Sequence, residues 1–364
     1  MKYVQIHELI SYPASNLNRD DLGRPKTVRI GESTRLRVSS QSLKRAWRTS
    51  NLMNEAFPVL GVRTNKLSET IEEAMIKGMS LFDIIAGKTD ITRESVVPEV
   101  AKRYGQDIDG LFRSMKSEES KEDDVSSSKQ KEKKKQLFHY SDSELKKVDN
   151  IMLAVSKGEE PELNNLLSKG PFPVDIAMFG RMVANDKSYD CEAAVQVAHS
   201  FTVHKSVIEE DYFTAVDDLN KDSDSGAGHL GETSFGAGLF YNYICVDYEL
   251  LTKNLGSEEL AQKALCALLT VSATVSPSGK QNSFASRSYA SFVMVERGDK
   301  QPRSLSSAFL KPVCGEDLLK GAIVALKTTQ KNMNAVFGDC YDDCYVMDVI
   351  AAEGSMKGAQ EFLR

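Results

Sequence analysis

The first residues alternate. In KYVQIHELIS (residues 2–11), Val4, Ile6 and Ile10 fall on one side and Tyr3, Gln5 and His7 on the other, which is the two-residue period of a strand. Residues 12–33 are rich in Pro, Asn, Asp and Gly and read as a loop that contains NRDD, Asn18 to Asp21. TRLRVSSQSLKRAWR (Thr34 to Arg48) then predicts a strand, a two-serine hinge and a helix. Thr34, Leu36 and Val38 alternate with Arg35 and Arg37, and Ser39 or Ser40 can cap the helix. On that helix Leu43, Ala46, Trp47 and Ser50 share an inner face, and Gln41, Lys44, Arg45 and Arg48 share another. Helical periodicity returns over 64–114 and 142–168. Between them, 116–136 is charged, low in complexity and free of aromatics, and reads as a disordered loop.

Farther on, PVDIAMFGRMVAN (173–185) reads as a strand ending in a turn, and SFTVHK (200–205) as another strand. Residues 206–234 are rich in Gly, Ser and Asp and predict an extended hairpin or arm. FGAGLFYNYICVDY (235–248) alternates strongly. Ser257 caps a helix whose buried stripe is Leu260, Ala264, Leu265, Leu268 and Val271. A polar loop, SPSGKQNSFASRS, precedes the strand YASFVMVER, and helices are predicted over 315–331 and 348–363. With the insertions set aside, two helices lie against an antiparallel sheet. This is an α+β layout near the split-βαβ, RRM-like (ferredoxin-like) pattern. The RNP signature of RRM strands is absent.

Charge sharpens this picture. The chain of 364 residues carries a net charge of −6. Residues 1–50 hold ten Lys/Arg and four Asp/Glu, so they are +6 and the remainder is −12. A basic segment on an acidic body points to one specific polyanionic partner. Arg35, Arg37 and the basic helix face meet near a helix N-terminus, where free N–H groups and the helix dipole attract anions. That is the chemistry of a grip on a phosphate backbone. No apolar run approaches a membrane span, and six unevenly spaced cysteines suggest a reduced, cytoplasmic protein.

NRDD followed by RLRVSSQSLKRA (Arg35 to Ala46) resembles the CasC family, the repeated backbone subunit of the type I-E CRISPR Cascade complex. GRMVAN (Gly180 to Asn185), DYFTAVDDL (Asp211 to Leu219), HLG (His229 to Gly231) and PSGKQNSFAS (Pro277 to Ser286) match in order. The resemblance implies a hand-like fold. Its RRM-like palm would be formed by 1–57 with 171–199 and 235–364, its helical fingers by 58–170 and its thumb hairpin by 200–234. Copies would stack along a guide RNA (crRNA) beside other Cascade subunits, and the guide would pair with target DNA. Asn18, Arg19, Ser40, Gln41, Lys44, Arg45 and Arg48 would lie along the guide backbone. Met182 would wedge against a base, Tyr212, Phe213 and Val216 would fill the gap at a displaced nucleotide, and Lys280 and Gln281 would touch backbone or a neighbouring copy. The resemblance implies no catalysis.

The rival readings are a metal-dependent endoribonuclease and a general RNA-binding scaffold. Asp20, Asp21, Asp211, Asp217 and Asp218 are the carboxylates available for cleavage. Carboxylates in a turn-rich loop such as Asp20-Asp21 commonly cap backbone N–H groups instead. No metal site is expected, since Cys340 and Cys344 lack a partner pair and the five histidines form no HxxxH. No cofactor motif is present; PSGKQ lacks the spacing of a phosphate-binding loop.

Overall fold

The computed structural model describes residues 1–113, 137–183, 186–215 and 229–364. The tract 116–136 and Val216, Asp217 and Asp218 lie outside the described residues. In chain order the elements are β1 (Tyr3–Ser15), β2 (Thr27–Ile30), β3 (Ser33–Val38), α1 (Ser40–Arg48), α2 (Asn51–Ala56), β4 (Val62–Thr64), α3 (Leu67–Lys77), α4 (Leu81–Ile85), α5 (Pro98–Arg113), β5 (Phe138–Tyr140), α6 (Asp142–Ser156) and α7 (Val174–Phe179). There follow β6 (Val195–Val197), β7 (Ser200–Thr202), β8 (Glu209–Ala215), β9 (His229–Asp247), α8 (Tyr248–Leu255), α9 (Glu258–Thr274), α10 (Gln281–Phe284), β10 (Ala290–Gly298), α11 (Leu318–Phe337), β11 (Asp343–Asp348) and α12 (Met356–Leu363). The chain forms two compact units. One comprises Met1–Ala56, Val195–Thr252 and Glu258–Arg364, the other Phe57–Ala194 and Lys253–Ser257.

The first unit is built on a sheet of order β11-β10-β1-β9-β7-β3-β2, antiparallel throughout, with β6 also paired to β9. β1 is central, and its register decides both faces. Ile6 lies opposite Val295 and Ile244, while Leu9 lies opposite Phe292 and Tyr241. The face of Val4, Ile6, Ile244, Val293 and Val295 is buried towards α9, which also packs on α1, α2 and α12. On the other face Leu9, Tyr241, Phe292 and Met294 pack against Ala322, Ile323 and Leu326 of α11 and against Leu305 and Phe309. Each such fully buried apolar side chain contributes roughly 1.5–3 kcal/mol.

Because helices cover both faces, polar positions of β1 are buried as well. Gln5 Oε1 accepts from Tyr243 Oη at 3.0 Å and from the Arg303 N–H at 2.8 Å. His7 Nδ1 sits 2.9 Å from Tyr241 Oη. Glu296, on the same face, takes a 2.6 Å contact from Arg303. Burial alone would raise the Glu296 carboxyl, but the nearby His7 ring, 3.4 Å away, and the hydrogen bonds from Arg303 outweigh it and hold the pKa at about 2. Most buried polar groups are paired in this way.

β8 and the first half of β9 form a hairpin with Glu209 opposite Phe235 and Phe213 opposite Gly231. It begins at 209, and the preceding Ser200–Thr202 segment belongs to the main sheet through β9 and β3. The expected thumb span of 200–234 is therefore too long at its start. The predicted loop at 12–33 also contains β2. β2 joins β3 through the two-residue turn Gly31-Glu32, where Gly31 has φ +57°, a conformation glycine adopts without strain.

The second unit packs α3, α5 and α6 through Ile71, Ala74, Ile108, Phe112, Val148 and Met152. A full capping box at Ser141 and Glu144 starts α6. Four expectations are corrected here and beyond. Residues 174–179 are a helix, not a strand, and α6 ends at Ser156, well short of 168. The predicted helix over 348–363 is α12 alone, and the preceding Asp343–Asp348 is an edge strand on β10. Residues 171–194 group with the second unit rather than with the sheet. Phe172 N–H donates to Asn254 O at 3.0 Å, and Arg181 is fixed to Glu144. Among the described residues no helix is long and apolar enough to cross a membrane.

Candidate nucleic-acid interface

α1 carries the candidate grip. Leu43 and Trp47 are buried, while Gln41 and Arg45 are exposed and Ser40, Lys44 and Arg48 are half-buried. Trp47 is fully buried and fixes which side of the helix faces out. Arg45 has no ion-pair or hydrogen-bond partner for its side chain among the described residues, so its guanidinium is available to an anion. Burial pulls the Lys44 pKa below its ordinary value. Ser39 occupies the cap position, but neither it nor Ser40 caps the helix. Ser39 makes no side-chain cap bond, and Ser40 Oγ donates to Gln41 Oε1 at 3.3 Å. The N–H groups of the first turn thus lack a side-chain cap from Ser39, as an anion site at a helix start requires.

Asn18 is brought to this point. Its Oδ1 accepts from the Ser39 N–H at 3.0 Å, tying the NRDD loop to the head of α1. Arg19 beside it is exposed. Asp20 turns inward on its own loop, its Oδ1 accepting from the Leu22 and Arg24 N–H groups at 2.9 Å each. This is a turn-capping geometry. The 277–286 loop joins the same place. Gly279 packs so closely on the Leu17 backbone that a Cβ would lie 2.2 Å from Leu17 O. Lys280 Nζ donates to Thr233 Oγ1 at 2.8 Å, and Gln281 begins α10. Asn18, Ser39, Lys280 and Gln281, far apart in sequence, converge on one edge of the first unit.

Arg35 and Arg37 part company. Arg37 is half-buried, with Nη1 2.7 Å from His199 Nδ1. Arg35 is fully buried, its Nη1 donating to Thr202 O at 2.9 Å and its Nη2 to Phe309 O at 3.1 Å. It is a structural clamp between strand and loop, and the expectation that it holds a phosphate is withdrawn. Sequence reasoning missed two residues beside Arg37. The Arg37 N–H donates to Lys26 O at 2.8 Å. His199 has its pKa lowered by burial first and then by the charges of Arg37 and Lys26. The Gly31-Glu32 hairpin, once recognised, places Lys26 opposite Arg37.

The apolar candidates are displayed in different ways. Met182 is 71% exposed although Arg181 and Val183 on either side are buried. Arg181 contacts Glu144 at 2.7 Å and donates to Ser168 O and Tyr189 O, and the Val183 N–H donates to Asp190 Oδ1. Tyr212 and Phe213 are exposed at 65% and 45% on successive hairpin positions, hence on opposite faces. The Phe213 ring lies over Gly231, where a Cβ would meet it at 2.3 Å. Met182 belongs to the second unit and the other described candidates to the first. Glu209, Glu210, Asp211 and Glu232 make the hairpin acidic. Its aromatics therefore suit the π-faces of bases better than phosphates.

The fold and this edge define an α+β protein with basic side chains gathered on a loop-built surface. A family model described as CT1975-like protein matches residues 4–361, and the chain belongs to that family. Among solved structures, a chain of a "CRISPR RNA-guided surveillance complex, pre-nicking" is 28% identical, with 99% of both chains covered and a TM-score of 0.78. A chain of another "CRISPR RNA-guided surveillance complex" is 25% identical, covering 100% of this chain and 98% of that one, with a TM-score of 0.59. No curated protein matches the chain.

Proposed function

We propose that the chain is a non-catalytic backbone subunit of a type I-E CRISPR Cascade complex, of the CasC kind, that polymerises along crRNA and displaces bases at intervals so the guide can pair with target DNA. The observation that carries this is the end-to-end likeness to a chain of an RNA-guided surveillance complex, over 99% of both chains. The order β10-β1-β9-β7, with α1 and α9 as the helical connections, supports an RRM-like palm. The second unit would then be the fingers and the β8–β9 hairpin the thumb. Asn18, Arg19, Arg37, Ser40, Gln41, Lys44, Arg45, Arg48, Lys280 and Gln281 would hold the backbone, with Met182, Tyr212 and Phe213 against bases. Phosphate contacts position RNA without reading its sequence, as arbitrary guides require. The partners are crRNA, target DNA through the guide, neighbouring copies and other Cascade subunits.

The test is Lys44→Ala with Arg45→Ala, measured by RNA binding across a salt series. Affinity falls for every sequence, and the salt slope drops by roughly 0.7 per lost contact on a single strand. Unchanged affinity and slope would refute the grip. Incubation with labelled RNA and a divalent metal tests the non-catalytic part; cutting that Asp→Asn variants abolish would overturn it.

A further inference from the structure

The first unit carries a groove that Gln281 alone of the assigned RNA contacts borders. It lies between the C-terminal half of α1 with the start of α2 and the segment joining α9 to β10, and has a volume of about 510 Å³. Roughly 300–1,000 Å³ is the usual range for a small-molecule pocket. Its lining runs from Thr49 and Asn51 to Ser276, Gln281, Arg287 and Tyr289. No carboxylate lines it, in a chain with more acids than bases overall. Tyr289 is 72% exposed. Neither its hydroxyl nor the exposed Arg287 guanidinium has a partner among the described residues. The segment that presents them is fixed. Ser276 Oγ donates to Ser288 O at 3.2 Å and accepts the Ser288 N–H at 2.9 Å, pinning the residue between Arg287 and Tyr289.

An unpaired cation, a bare aromatic ring and a mixed wall of hydroxyl, amide and apolar groups without a carboxylate match one nucleotide of single-stranded RNA. The ring offers a stacking surface and the guanidinium a phosphate ligand. An acidic partner fits less well, because it would use the cation alone and leave the ring and the apolar side chains of Ala46, Leu52 and Val275 without a partner.

We propose that this groove is a nucleotide-binding subsite in which Tyr289 stacks on a base and Arg287 holds the adjoining phosphate. It rests on the reading of the chain as an RNA-binding subunit and adds contacts which that reading does not name. The test uses the full chain and a fluorescein-labelled single-stranded RNA of mixed sequence. Tyr289→Ala is expected to weaken binding at least fivefold, with Tyr289→Phe restoring it because the ring is kept. Arg287→Ala is expected to lower the salt slope by roughly 0.7. Both positions are at the surface, and thermal melts confirm that each variant folds. If both alanine variants bind RNA with unchanged affinity and slope while Lys44→Ala/Arg45→Ala does not, the subsite is wrong and the RNA-binding reading stands. If all the variants bind normally, both fail. Groove variants that keep RNA affinity but lose self-association or partner subunits would make the groove a protein-docking surface and overturn the proposal.

Discussion

Glu8 is the least comfortable charge in the sheet. It is fully buried on the α9 face of β1, where Ser272 Oγ donates to its Oε1 at 2.6 Å and Asn242 Nδ2 to its Oε2 at 3.1 Å. Both partners are neutral. Burial raises its pKa from 4.5 to about 7, against the smaller lowering by those two hydrogen bonds. An acid whose folded pKa exceeds its unfolded one binds more protons when folded, so stability falls as pH rises from about 4.5 through 7 and then levels off. At about 1.4 kcal/mol per pKa unit, the cost at high pH is about 3 kcal/mol. Glu8→Gln removes that cost and can keep both bonds. Its carbonyl can accept from Asn242, and its amide can donate to Ser272 Oγ, which still donates to Leu269 O. The assay is urea unfolding from pH 5 to 9, read by Trp47, the single tryptophan, which is buried in the same unit. Other titrating groups cancel in the difference between variant and parent. The variant is expected to be near parity at pH 5 and about 3 kcal/mol more stable above pH 8. A difference that does not change with pH would refute the reasoning.

Arg35→Ala is expected to cost about 3 kcal/mol in urea melts, since it empties a buried clamp, and to leave the RNA salt slope as it was; Arg37→Ala should lower the slope with little effect on melting. Breaking the buried Arg181–Glu144 pair with Arg181→Met should destabilise the second unit by about 3–5 kcal/mol, read by the denaturation midpoint. Gly279→Ala forces the loop off the Leu17 backbone and should cost about 1–3 kcal/mol and weaken RNA binding together, because Lys280 and Asn18 share that contact. A Gly279→Ala variant that melts and binds like the parent would show that the loop does not organise the edge.

Long periodic elements were legible: β1, α1, α9 and the alternating part of β9 stand where the pattern puts them. The failures have specific causes. Val174, Ile176 and Met178 alternate like a strand, yet the six-residue helix they belong to is buried nearly all round, and periodicity cannot separate those cases over so short a run. Asp343–Asp348 is a short edge strand between polar turns, with no run long enough to signal it. Arg35 was misread because alternation reports two faces but not whether both are covered. Of the candidate site, the α1 face was readable from its spacing. The convergence of Asn18 with the 277–286 loop was not, because it depends on close backbone packing between Gly279 and Leu17.

On the proposed RRM-like reading that convergence matters, because the usual RNA surface of such a palm is occupied here. In an RRM, aromatics on the open sheet face stack bases. Here the corresponding face, with Tyr241, Phe292 and Met294, is sealed beneath α11. Stacking on the sheet is closed off, which accounts for a chain that lacks the RNP signature while keeping the strand order. RNA binding, as proposed, would then fall to the edge and the protrusions. On the proposed function the edge would supply Arg19, Arg37 and Arg45 for phosphates, and Met182, Tyr212, Phe213 and Tyr289, which are among the exposed apolar or aromatic groups, would meet bases. Such a division would hold RNA by its backbone and leave the edges of most bases uncontacted. That is the physical requirement for a guide that must still pair with a target.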